Sequence, residues 1–224
     1  MEQIPATIHL VLKDKHAVTG VYAPLYERLQ QLHPGWNLVL HDDADARNTV
    51  RDYYPQWLAA YDAYPHNIQR TDVFRLIALY RYGGFYLDTD MHLYKPLHDL
   101  RGHRVVLAEE KTLSTASCRQ LGHRNALRIA NYMIGAAPGQ AFIYEAISRA
   151  IAGSSQPIGS EHDILESTGP GMLTDLYHEQ SRLYTGIHLL KNNQHQCLKK
   201  CSTTPSCHFG DYAAHLHQGS WRWQ

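Results

Sequence analysis

The chain has 224 residues, with 21 Lys+Arg against 21 Asp+Glu. That is enough for one compact domain, and too balanced in charge for a domain whose main partner is nucleic acid. The first residues, Met1-Glu2-Gln3-Ile4-Pro5, carry neither a basic nor an apolar stretch, and no apolar run is long enough to span a bilayer. The expectation is a cytoplasmic protein, or a piece trimmed of its anchor.

Residues 6–12 read as a buried strand opening after Pro5. Residues 24–32 read as a helix, because Leu25, Leu29 and Leu32 share one face and Pro24 stands in its first turn. His33-Pro34-Gly35 stops it, and residues 36–40 form a second strand. A strand–helix–strand opening implies a parallel pair in an α/β domain. The polar loop 41–45 follows that second strand, where open α/β sheets keep their ligand crevice. Asp45 is placed to cap a helix running to Tyr53, and Pro55 and Pro65 break up the next helical stretch. Residues 67–82 make the clearest helix: Val73, Phe74, Ile77, Ala78, Leu79 and Tyr80 leave it apolar over more than half its circumference, and Gly83-Gly84 ends it. A short strand, 85–87, runs into Asp88-Thr89-Asp90. Further strands are expected at 105–108, 129–134 and 187–190, with helices at 140–152 and 171–180.

Within the apolar helix, Asp72 and Arg75 lie three apart and share a face. Alone, that is an ordinary ion pair. The acidic pair just beyond the helix changes its meaning. If the strand continues through Asp88-Thr89-Asp90, both carboxylates point to one side. Two carboxylates aimed at one spot repel each other unless a cation lies between them. Mg²⁺ or Mn²⁺ held by few carboxylates keeps positions for substrate phosphates, and a departing diphosphate needs that neutralisation. Glu109 and Glu110, after the strand at 105–108, are either a solvated acidic pair or the candidate nucleophile. Cys197, Cys201 and Cys207 cluster in a stretch with His195 and His208. Their spacing matches no standard C-x-x-C pair, and plain thiols, a disulfide and a structural zinc all stay open.

The run Arg70-Thr71-Asp72-Val73-Phe74-Arg75, then Leu79-Tyr80-Arg81-Tyr82-Gly83-Gly84-Phe85-Tyr86-Leu87-Asp88-Thr89-Asp90, resembles the sugar-binding region of family 32 glycosyltransferases. That family includes yeast-type Golgi mannosyltransferases and bacterial polysaccharide transferases. Ile4-Pro5 with Ile8-His9, Trp36 with His41-Asp42-Asp43, Asn131 with Gly135 and Pro138-Gly139, Thr168-Gly169-Pro170, and His217-Gln218-Gly219-Ser220-Trp221 resemble its other segments. The likeness covers nearly the whole chain, with gaps around Cys118 and around the stretch from Cys197 to Cys207. It departs in the opening strand, where Leu10-Val11-Leu12 replace the family's usual Gln and Trp, so the residue that stacks on the base is left unnamed.

The resemblance implies one domain over residues 1–224 with a GT-A type, Rossmann-like α/β fold. It implies a retaining transfer of a hexose or N-acetylhexosamine from a nucleotide-diphosphate sugar to an acceptor hydroxyl, with a divalent metal. On this resemblance Asp90 contacts the metal and Asp88 sits near the ribose and the metal shell. Asp72 and Arg75 hold the donor sugar, with Arg75 also near the phosphates, and Asn131 touches the sugar or the acceptor side. His217 completes the metal shell, and Ser220 and Trp221 close over the diphosphate. An imidazole in that shell favours Mn²⁺ over Mg²⁺. The acceptor could be a glycan, a lipid-linked sugar, a peptide or a small molecule. Three readings compete: a metal-dependent sugar-nucleotide hydrolase, a catalytically inactive sugar-nucleotide-binding protein, and a zinc-organised interaction module.

Overall fold

The computed structural model describes residues 3–218 except Ala17 and Ser202; the remaining residues, Ser220 and Trp221 among them, lie outside the described part. β1 (Thr7–Val11) leads through α1 (Ala23–Leu32) to β2 (Asn37–His41). Then come α2 (Asp43–Tyr53), α3 (Pro55–Ala63), α4 (Asn67–Tyr82), β3 (Gly84–Leu87) and β4 (Met91–Leu93). β5 (Val105–Thr112), α5 (Thr115–Gln120), β6 (Leu127–Ile129) and β7 (Met133–Ala136) follow. The chain continues with α6 (Ala141–Ala152), α7 (Glu161–Ser167), α8 (Pro170–Gln180), β8 (Ile187–Leu190), β9 (His208–Phe209) and β10 (Ala213–His215).

Among the described residues, the main sheet runs in the order β2-β1-β3-β7-β5-β6, with β8 also paired to β5. β1 is parallel to both β2 and β3, whereas β7 is antiparallel to β3 and β5. A small antiparallel sheet, β4-β10-β9, stands beside it. Successive strand residues point to opposite faces, which divides the core in two. Tyr86, Val105, Leu107 and Ile134 pack with α2, α3, α4, α6 and α8. Phe85, Leu87, Val106 and Met133 pack with α1, β4 and the small sheet.

Three local expectations change. Asp42, not Asp45, caps α2: Asp45 N donates to Asp42 Oδ1 at 2.8 Å and Asp42 N to Asp45 Oδ2 at 3.2 Å, a reciprocal box. Pro55 starts α3 at its first turn, where its missing N–H is no loss. Residues 129–134 are not one strand; β6 and β7 part at 130–132. There the backbone is drawn into the site: Asn131 O accepts from Arg75, and Tyr132 O accepts from Asp88 N at 2.8 Å.

Candidate active site

The functional groups gather at the carboxyl ends of β1 and β3, where β2 and β3 lie on opposite sides of β1. That is the usual crevice of an open α/β sheet. α4 delivers Asp72 and Arg75 from below. Both are almost fully buried, at 3% and 2% exposure, and a buried charge survives only with partners. Arg75 Nη2 lies 2.7 Å from Asp72 Oδ1 and 3.4 Å from Asp88 Oδ1. Asn131 Nδ2 donates to Asp72 Oδ1 at 3.1 Å, and the Thr168 hydroxyl donates to Asp72 Oδ2 at 3.0 Å. The guanidinium also lies 4.7 Å from the centre of the Tyr86 ring, whose hydroxyl donates to Asp88 Oδ1 at 3.0 Å.

The electrostatics follow from this burial. Burial pushes the Asp72 carboxyl up to about 6, and Asp88 adds to the rise; Arg75 and Thr168 offset only part of it. Burial opposes the charge of Arg75, yet the negative groups around it, led by Asp88, raise it further. Asp88 is raised as well, by burial first and by Asp90 in addition, against the pull of Arg75 and His215.

Asp88-Thr89-Asp90 form a turn, not an extended strand, because Met91 N bonds back to Asp88 O at 3.1 Å. The two carboxylates therefore converge through the turn and not through strand alternation. The imidazole beside them is that of His215. β10 sets His215 opposite Met91 of β4, and Leu216 N bonds to Asp90 O at 3.0 Å. His215 Nε2 thus comes 3.1 Å from Asp90 Oδ1, while Gln218 N donates to Asp90 Oδ2 at 2.7 Å. His217, expected from the sequence to complete the metal shell, stands beside His215, its ring centre 4.2 Å from that of His215. Two residues past the end of β10, its backbone is left-handed, with φ +50°, and its Nε2 lies 3.6 Å from Cys201 Sγ.

One ligand atom each from Asp88, Asp90 and His215 lie within 4.8 Å of one another. Nδ1 of His215 is buried and has no hydrogen-bond partner among the described residues. Burial opposes the charge of Asp90, but the bonds from His215 and Gln218 bring it below the usual carboxylate range. Burial likewise opposes a charged His215, and the Asp90 bond with the charges of Asp88, Asp90 and Glu110 outweighs it, so its pKa rises. A proton on His215 places positive charge beside the two carboxylates, and a divalent ion bound there would displace it. Two carboxylates and one imidazole are a donor set that Mn²⁺ or Mg²⁺ takes.

A small apolar pocket, with a cavity volume of about 20 Å³, adjoins these groups, lined among others by Leu10, Leu12, Tyr22, Tyr26, Leu87 and Asp88. It lies where the opening strand departs from the family pattern. The polar loop 41–45, expected at the crevice, contributes His41 and Asp45 to a pocket beside β1 and β2, and is tied to Lys15, whose Nζ lies 3.1 Å from Asp42 and 2.5 Å from Asp45. Glu109 is held by Lys191 Nζ at 2.7 Å and by Asn192 N. Tyr86, Thr168 and His215 were not foreseen as site residues. Thr168-Gly169-Pro170 and the pair of histidines were visible in the sequence, but no spacing rule ties them to Asp72 or Asp90.

Residues 22–110 match the family described as glycosyltransferase sugar-binding region containing DXD motif. Inositol phosphoceramide mannosyltransferase 2 of Schizosaccharomyces pombe is 40% identical over 87 residues, 39% of this chain and 25% of that protein. Inositol phosphoceramide mannosyltransferase 1 of the same organism is 29% identical over 150 residues, 66% of this chain and 43% of that protein. The chain thus spans less than half the length of either relative. The solved PaToxG glycosyltransferase superposes with a TM-score of 0.59 at 18% identity, covering 81% of this chain and 72% of that one. The fold is therefore the GT-A type α/β fold expected. The cytoplasmic expectation is overturned: the relatives are named for a ceramide lipid, and the chain spans only part of each. Among the described residues no helix is long and apolar enough to cross a membrane.

Proposed function

We propose that this chain is a retaining glycosyltransferase that moves a hexose, mannose being the first to test, from a nucleotide-diphosphate sugar to an acceptor hydroxyl. The observation that carries the reading is the convergence of Asp72, Arg75, Asn131, Asp88, Asp90 and His215 at the carboxyl ends of β1 and β3. A divalent cation, Mn²⁺ in preference to Mg²⁺, held by Asp88, Asp90 and His215, would neutralise charge on the departing diphosphate. Arg75 would add a guanidinium beside the same oxygens, held in place by Asp72 and Asp88 in buried surroundings. A carboxylate has about four acceptor positions; at Asp72, Arg75, Asn131 and Thr168 take three, which leaves one for a sugar hydroxyl. The Asn131 side chain, fixed by Asp72, offers its amide oxygen to the sugar or to the acceptor. Attack from the face the diphosphate leaves, with a diphosphate oxygen taking the proton, requires no enzyme nucleophile.

The test is nucleoside diphosphate release from a panel of nucleotide sugars, with and without acceptor. Turnover should disappear in EDTA and return with Mn²⁺. Ceramide-linked inositol phosphate belongs on the acceptor panel, since two relatives are named for it. Full turnover in chelator would refute the metal-held diphosphate, and a rate that no acceptor increases would favour a hydrolase.

A further inference from the structure

We propose that Cys197, Cys201, Cys207 and His217 form a closed, four-ligand structural zinc site, separate from the carboxylate site. One ligand atom from each of the four lies within 4.8 Å of every other. Cys201 Sγ stands 3.1 Å from Cys207 Sγ and 3.6 Å from His217 Nε2. Tetrahedral zinc, with Zn–S of about 2.3 Å and Zn–N of about 2.0 Å, sets neighbouring ligand atoms about 3.5–3.8 Å apart. The Cys201–Cys207 and Cys201–His217 separations lie within about 0.7 Å of these values, and no pair exceeds them by more than about 1.3 Å.

Three further observations converge on this set. First, all of its cysteines are free thiols, and Cys197 and Cys207 are buried at 2% and 1% exposure. A disulfide would use two of them and leave the third sulfur and the imidazole without a reason to be there. Three thiolates and one imidazole use every group, and Cys₃His is a standard structural zinc set with no open position for substrate. Second, the non-glycine residues with left-handed backbone among the described residues are Gln194, Lys200, Cys207 and His217. Two are ligands and one directly precedes a ligand. Such backbone persists only where something over-determines it, and a metal bound to these side chains does so. Third, residues 191–207 join β8 to β9 with no regular element among their described members. A connection of that length inside a compact domain needs an organiser. The Lys200 N to Cys197 O bond of 2.9 Å folds it into a tight knuckle between the first two ligands.

The site also has a structural consequence. His215 N bonds to Cys207 O at 2.8 Å, so the knuckle grips the strand that carries His215 and Gln218 to Asp90. His217, from the same short segment, closes the knuckle while His215 serves the carboxylates. Zinc would therefore fix one wall of the neighbouring site without entering its chemistry. The zinc site stands independently of the transferase reading.

The experiment is elemental analysis of the full chain purified without added metal, beside Cys201→Ser, His217→Gln and Asp90→Asn. About one zinc per chain is expected in the unmodified protein. Zinc should be lost in Cys201→Ser and His217→Gln and kept in Asp90→Asn. Should the first two variants fail to fold, cobalt exchanged into the unmodified protein keeps the question open to test. Thiolate-to-cobalt charge-transfer and intense tetrahedral visible bands support the site, and their absence overturns it. A zinc-free protein whose three thiols react freely, a disulfide among them, iron or copper in place of zinc, or zinc lost only in Asp90→Asn would each overturn it.

Discussion

At the scale of single residues, Asp72 shows a charge kept where the fold would rather not have it. Its folded pKa, about 6, lies above the ordinary value of 3.8. Below that ordinary value it is protonated in both the folded and unfolded states and contributes nothing. As pH rises through the window up to about 6, the folded state holds the proton more tightly and stability is lost. At neutral pH the loss reaches at most about 3 kcal/mol, at 1.36 kcal/mol per unit. Asp72→Asn should therefore be more stable than the native chain well above pH 6 and no more stable below pH 4, by urea melts at the two pH values. The same variant should lose at least about a hundredfold in turnover, roughly 3 kcal/mol of transition-state binding. If it is destabilised equally at both pH values, the Asp72–Arg75 pair holds α4 in place and the cost argument fails. His215 and His217 make a second residue-scale contrast. Losing even an outer partner of a metal ligand typically weakens binding about 10–100-fold, so His215→Gln should raise the Mn²⁺ needed for half-maximal turnover at least about tenfold. Unchanged Mn²⁺ dependence would remove His215 from the site.

At the scale of elements, α4 and β3 were legible because their signals are long or dense. A sixteen-residue helix with a wide apolar face and a double-glycine stop leaves little alternative, and its bounds match the expected ones. The β1–α1–β2 opening was legible for the same reason. The small sheet was not: β4 and β10 are three residues each, too short for a period of two to register. Their pairing brings His215 to Asp90, so the imidazole beside Asp90 could not be chosen by counting along the chain. The split between β6 and β7 was hidden because Asn131 and Tyr132 leave the ladder to serve Arg75 and Asp88, a tertiary demand with no local sign. Gly84 shows how tightly α4 and the sheet are joined. Its φ is +108°, and a Cβ there would stand 2.5 Å from Thr7 O in β1. Strained backbone costs about 1–3 kcal/mol by itself, and the clash adds to it. Gly84→Ala should lower stability by more than about 2 kcal/mol in urea denaturation. A change under 0.5 kcal/mol, roughly the range of neutral surface substitutions, would mean that the β1–β3 junction yields easily.

At the scale of the whole molecule, the site draws on nearly every layer. α4 supplies Asp72 and Arg75, the β3–β4 turn supplies Asp88 and Asp90, and the β6–β7 connection supplies Asn131. Thr168 comes from the junction of α7 and α8, and His215 from the small sheet. Contacts this dispersed form only when the main sheet, its helices and the small sheet are all in place, so we propose that residues 1–224 act as a single folding unit. Ligand that binds only the assembled form should then stabilise all of it. At a hundred times its Kd, a donor with Mn²⁺ adds about 2.7 kcal/mol by mass action. For a chain of this length that is a rise of roughly 5–10 °C in Tm. Scanning calorimetry should show one transition without ligand and one transition, shifted by that amount, with it. Mn²⁺ alone should shift it less, because the cation then lacks the phosphate oxygens that complete its shell. Two transitions, of which only one moves, would mean that the small sheet with His215 folds apart from the Asp72–Arg75 side, and that the donor site is assembled from two units rather than one.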